Sequence, residues 1–200
     1  MTVELFVGRV LGMAIKIYID QGHNPVNPNA GAEGNGLREQ NIVYTIGQEL
    51  ARRLRQSGNY EVRLSRPTAT TQLGTSNASS LRVRAEEANA WGADYFLSLH
   101  TNASELSAAT GSEAFVYALR GPAMALATSI LTSLEEATGL ANRGVFARPS
   151  LYVLKRTAMP AILLELGFIT NPRDARLMSD SPGLFADGIY RGIVAYTGLA

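Results

Sequence analysis

The chain has 200 residues, 46% apolar and 18% charged, a globular composition that excludes a disordered chain. Its 18 Lys and Arg against 17 Asp and Glu leave a formal net charge of +1, which excludes a strong general attraction to nucleic acid or acidic lipid. The chain contains no Cys, so disulfide frameworks, thiol catalysis and Cys-ligated zinc are excluded, and any imidazole chemistry rests on His23 and His100.

Residues 1–14 read as an N-terminal extension ahead of one domain over 15–200. The segment MTVELFVGRVLGMA is apolar but short, lacks a basic leading region and is interrupted by Glu4 and Arg9, so no signal peptide is expected. No run reaches the roughly 18 apolar residues of a membrane span. The stretch IKIYID at 15–20 alternates as a strand does, with Ile15, Ile17 and Ile19 on one face. A Gly-, Pro- and Asn-rich loop is expected over 21–36. A helix follows over 39–56, with Ile42, Ile46, Leu50 and Leu54 on its stripe and Arg52, Arg53 and Arg55 on its wet face. Then come a strand at 60–65, a polar loop at 66–80 and a helix at 81–91 carrying Leu81, Ala85 and Ala88. Strands are expected at 94–99 and 113–119, a helix at 122–138, and short strands at 151–154 and 161–165. Asn171-Pro172 and Ser181-Pro182 each announce a further helix. This alternation argues for a single α/β domain: a twisted, mostly parallel sheet with helices on both faces.

In such sheets ligands bind outside the carboxyl ends of the strands. His23 follows the first strand, His100 follows DYFLSL, Glu165 closes AILLE, and Glu39 begins the helix fed by the Gly-rich loop. Two His and one Glu suffice for a catalytic zinc that keeps a position for water, and a second Glu is then free to take a proton. Each residue also has an ordinary explanation. A His after a strand is commonly a surface residue, and an acid at a helix start is stabilising without any metal. Glu165 is the hardest to explain in that way, because it interrupts the apolar run 161–168. Arg143 is a candidate for contacting an anionic substrate group, although a solvated Arg accounts for it as well. Glu33 is expected to be hydrated, and Asn35, Asn102 and Asn171 read first as turn or cap residues. The glycines between 22 and 36 match neither the dinucleotide nor the Walker spacing.

At these residues the chain resembles the zinc-dependent N-acetylmuramoyl-L-alanine amidases of the amidase type 3 class, from about Ile15 to Tyr196. YIDQGHN, NGLREQN, LRVRAEEAN, DYFLSLHTNAS, NRGVF and YVLKRTAMPAILLELGFITNP appear in the family's order. The resemblance implies that His23, Glu39 and His100 bind Zn2+ and that Glu165 is the catalytic carboxylate. Arg143 and Asn102 are its substrate-side candidates. One departure is Gly-His-Asn followed by Pro25 where Gly-His-Gly is usual, which bears on the loop shape and substrate-side wall. The activity implied is hydrolysis of the amide between N-acetylmuramic acid and L-alanine in peptidoglycan, at the bacterial cell wall. Two other readings remain: another zinc amide hydrolase (a carboxypeptidase or deacetylase), or an inactive wall-binding module. Some members of the family carry a helical insertion after the His-x-Asn block that plugs the zinc site. Here only ten residues, TNASELSAAT, separate His100 from Gly111, too few for a helical plug. An open site that needs no activator protein is therefore expected.

Overall fold

A computed structural model describes residues 14–200; the expected extension lies, but for Ala14, outside the described residues. Strands β1 (Ile15–Gln21), β4 (Tyr60–Leu64), β5 (Tyr95–Asn102), β6 (Ser112–Val116), β7 (Asn142–Ala147) and β8 (Ala161–Phe168) form one sheet in the order β4-β1-β5-β8-β6-β7. Neighbours run parallel except β6 against β8, so the sheet is mostly parallel as expected. β2 (Glu33–Gly34) and β3 (Leu37–Arg38) form a small hairpin before the first helix, where only a loop was expected.

Strand alternation divides the molecule into two layers. Ile17, Ile19, Leu97, Leu99, Ala114, Ile162 and Leu164 point to one side. There they meet α1 (Glu39–Gln56), α3 (Gly121–Thr138) and α6 (Pro182–Thr197). The expected stripe of α1 is buried in this core, as are Ile130 and Leu134 of α3 and Phe185, Ile189 and Ile193 of α6. Tyr18, Phe96, Ala161 and Leu163 point to the other side, under α2 (Asn77–Trp91) and α4 (Tyr152–Arg156). α5 (Pro172–Asp180) packs by the end of β8, with Asn171 capping it by accepting hydrogen bonds from the Arg173 and Asp174 N–H groups. Of the arginines expected on the wet face of α1, Arg52 and Arg55 are exposed, and Arg53 is partly covered, donating to the Gly183 carbonyl.

Three expectations are corrected. Residues 151–154 are not a strand: Tyr152–Arg156 form α4, whose Val153 and Leu154 are buried under α2. A five-residue element is shorter than one and a half helical turns, so no 3.6-residue period is visible in it, and apolar LYVL reads as a strand. The helix α2 begins at Asn77 rather than Leu81, because the Ser-rich segment is a capping box, with Ser76 and Ser79 exchanging side-chain and backbone hydrogen bonds. The loop therefore ends earlier than 80. Strand β7 was not expected at all, since NRGVFA is an exposed edge with a central Gly.

A His-Glu-His cluster beside a buried carboxyl

His100 is not beyond the end of its strand but within β5, and Glu165 is within β8. The register pairs His100 with Glu165 and Glu165 with Glu113. One row across three adjacent strands thus carries an imidazole and two carboxyls, all on the α2/α4 side. Glu39, the first residue of α1, enters the cluster from the opposite layer, and His23 enters from the loop after β1.

The Glu39 carboxylate is the hub. Its Oε1 accepts the Thr101 N–H at 2.9 Å and lies 3.0 Å from His100 Nδ1. Its Oε2 accepts the Ala32 N–H at 2.9 Å and lies 3.2 Å from His23 Nε2. The two imidazole rings stand edge to face, 4.9 Å between centroids. Burial alone would raise the Glu39 carboxyl, but hydrogen bonds and charge from His100 and His23 outweigh it and hold it well below the ordinary carboxylate range. One ligand atom from each of His23, Glu39 and His100 falls within 4.8 Å of the others. Two imidazoles and a permanently ionised carboxylate are a borderline-soft N2O donor set, the chemistry a divalent transition metal takes.

Glu165 differs. Its Oε2 is buried with no hydrogen-bond partner among the described residues. Burial, together with the charges of Glu39 and Glu113, pushes its carboxyl up to about 8. An orphaned carboxyl beside the donor cluster fits a role in moving protons. His23 Nδ1 is likewise buried without a partner.

The sequence singled out the four central residues but not what holds them. Arg84, fully buried on α2, is paired with Asp20 of β1 and donates to the Gln21 carbonyl (2.8 Å) and the His23 carbonyl (2.6 Å). It fixes the loop on which His23 sits in the left-handed region, at φ 65°. Gly22 and Gly31 are obligatory there: a Cβ on Gly22 would lie 2.6 Å from His100 Cε1, and one on Gly31 2.8 Å from Glu39 Oε2. The unusual Asn24 is fully buried and exchanges hydrogen bonds with Leu73 in both directions (2.9 and 3.1 Å), tying the ligand loop to the 66–76 loop. Arg84 stands in the quoted LRVRAEEAN block, so the only signal was its place in that motif.

The two substrate-side candidates, Asn102 on β5 and Arg143 on β7, touch the same acid on β6. Asn102 Nδ2 donates to Glu113 Oε1 at 2.8 Å and Arg143 Nε to Glu113 Oε2 at 2.9 Å. Glu33, expected to be hydrated, is exposed and paired with Arg38. A cavity of about 130 Å³ lies against His23 and His100, walled by Leu151, Tyr152 and Val153 at the start of α4. The segment 103–111 contains no helix; it is pinned aside by Thr110 Oγ1 donating to Asp174 (2.6 Å) and by the Ser104 N–H donating to Thr170 Oγ1 (3.0 Å). No helix among the described residues is long and apolar enough to cross a membrane.

Known proteins bear on this arrangement. Residues 17–195 match the family model described as N-acetylmuramoyl-L-alanine amidase. The sporulation-specific N-acetylmuramoyl-L-alanine amidase of Bacillus subtilis is 36% identical over 180 residues, 89% of this chain and 65% of the relative. The amidase CwlM of Bacillus licheniformis is 36% identical over 182 residues, again 89% of this chain and 65% of the relative. This chain therefore spans about two thirds of the length of those relatives. The crystal structure of an N-acetylmuramoyl-L-alanine amidase from Clostridium difficile 630 superimposes with a TM-score of 0.82 at 28% identity, covering 92% of this chain and 97% of that one. The CwlD amidase of Clostridioides difficile, solved in complex with the GerS lipoprotein, gives 0.84 at 26% identity, covering 93% and 100%. By sequence over nearly its whole length, and by a fold that agrees, the chain belongs to the N-acetylmuramoyl-L-alanine amidase family.

Proposed function

We propose that the chain is a zinc-dependent amidase that cleaves the bond between the lactyl group of N-acetylmuramic acid and L-alanine in peptidoglycan. What carries this reading is the position of the orphaned Glu165 carboxyl beside the His23, Glu39 and His100 cluster, in a chain of this family. Those three residues would hold the ion. The chemistry zinc supplies when bound there is Lewis acidity toward the scissile carbonyl and the attacking water.

Glu165 does the proton work. Its carboxylate accepts a proton from the water as the water oxygen adds to the carbonyl carbon. It then returns that proton to the amide nitrogen as the carbon–nitrogen bond breaks, leaving a muramic acid carboxylate and the free α-amino group of L-alanine. A single carboxyl that takes up and then releases the proton performs both transfers. Arg143 and Asn102 line the side of the site through Glu113, and Arg143 is a candidate for contacting a carboxylate of the substrate. With residues 103–111 held aside, the enzyme works at the cell wall without an activator protein.

The test is digestion of purified peptidoglycan by the chain alone, with zinc and after chelation, read by mass spectrometry. New L-alanine N-termini that depend on zinc are expected. Cleavage at another bond would move the chain to the carboxypeptidase or deacetylase reading. Binding without cleavage would make it a wall-binding module.

A further inference from the structure

The sheet face that carries Glu165 is covered by α2 and α4 over β5 and β8; Phe115 of β6 packs at the edge of that cover, and Phe146 of β7 beyond it is exposed. There Phe115 of β6, in register with Leu163, lies beside Phe146 of β7, their rings 6.4 Å apart. Phe146 is 40% exposed. One guanidinium group, that of Arg148, rims this floor, while Arg143 lies over the Phe168 ring at 5.0 Å. Arg148 lies over the Phe115 ring at 5.1 Å, held by its own N–H on the Val116 carbonyl (2.8 Å), and pairs with no carboxylate among the described residues. Arg143 spends one N–H on Glu113 and one on the Thr110 carbonyl.

The shelf begins one strand from the catalytic carboxyl. Strands lie about 4.8 Å apart and residues about 3.3 Å apart along them, so Phe146, two strands and two residues from Glu165, is about 12 Å away, and the Arg148 guanidinium over Phe115, one strand and two residues away, about 8 Å. A peptide leaving the scissile amide in this direction comes under the Arg148 guanidinium by its third residue, whose side chain reaches toward Phe146. An unneutralised guanidinium selects a carboxylate-bearing occupant. The glycan does not meet that description, because its muramic acid carboxyl is consumed in the amide being cut.

We infer that the Phe115–Phe146–Arg148 shelf is the subsite for the second and third residues of the carboxylate-bearing stem peptide, with Arg148 recognising the carboxylate. This rests on the amidase reading and deepens it. Arg148 and Phe146 are specificity residues: they touch substrate well away from the reacting atoms.

The test uses the full chain with zinc and two muramoyl tripeptides that differ only in whether their peptide carboxylates are free or amidated. Wild type, Arg148→Gln, Arg148→Lys and Phe146→Ala are compared by released amine. Wild type is expected to prefer the free carboxylates. Arg148→Gln should raise KM for that substrate about tenfold and abolish the preference, with kcat little changed. Arg148→Lys should restore part of it, and Phe146→Ala should raise KM for both substrates. Wild type that cleaves both substrates equally well, or Arg148→Gln within twofold of wild type on both, overturns the shelf and leaves the amidase reading standing. Failure of wild type to cleave either substrate overturns the amidase reading and the shelf with it.

Discussion

On the side of α1, α3 and α6 the strands present Ile17, Leu97, Leu99, Ala114 and Leu164, a dry aliphatic layer. On the side of α2 and α4 the same strands present Tyr18, Asp20, Ser98, His100, Glu113 and Glu165. Adjacent residues of one strand thus serve opposite ends: Leu164 is fully buried packing, while Glu165 is a strained carboxyl. The first layer stabilises by burial and tolerates changes of shape. The second carries desolvated polar groups that each need a partner, and it is costly wherever one is missing.

The largest effect that would test this division is on turnover. Glu165→Gln should cost ~10²–10⁴-fold in kcat while retaining the fold and zinc content, read by steady-state kinetics and metal analysis. Loss of zinc as well would make Glu165 a ligand. Next comes Asp20→Ala, which strands Arg84 in the interior and should destabilise by about 3–5 kcal/mol in denaturant unfolding. Because Arg84 also holds the His23 carbonyl, metal affinity should fall with it. Leu164→Ala, on the dry side, should cost about 3 kcal/mol but leave turnover per folded molecule unaltered; a matching loss of kcat would erase the distinction between the faces.

The smallest effect is in pH. Below its ordinary value of 4.5 the Glu165 carboxyl is protonated in both folded and unfolded chains, whereas burial raises it to about 8 in the fold. As pH rises between those values only the unfolded chain ionises, so this group subtracts stability, fully so above 8. Glu165→Gln should therefore leave the metal-free protein unchanged near pH 4 and stabilise it near pH 9, measured by thermal melts across pH.

Much of this was legible because period and chemistry coincide. The stripe of α1 and the alternation of β1 each have enough residues to declare their period, and a carboxylate in AILLELGF conflicts with its neighbours. What stayed hidden depends on partners distant in sequence. α4 is a helix because Val153 and Leu154 dock beneath α2, and β7 is a strand because β6 offers it an edge. That β6 runs antiparallel to β8 is written in neither strand. Glu113 opens an ordinary strand pattern, and only the register places it opposite Glu165. Arg84 and Asn24 hold backbone carbonyls and amides, contacts that leave no pattern in side-chain spacing.

The row His100–Glu165–Glu113 has one more consequence. The separation of these side chains is set by the hydrogen-bonded repeat between strands, about 4.8 Å, rather than by the packing of any one layer. That repeat is set by backbone hydrogen bonding and varies little from sheet to sheet. Substitutions in the aliphatic layer can drift and repack while the spacing between the His100 imidazole and the Glu165 carboxyl stays constant. The sheet therefore acts as a ruler whose graduations the core cannot rewrite, and the chemistry is insulated from most of the sequence changes that alter stability.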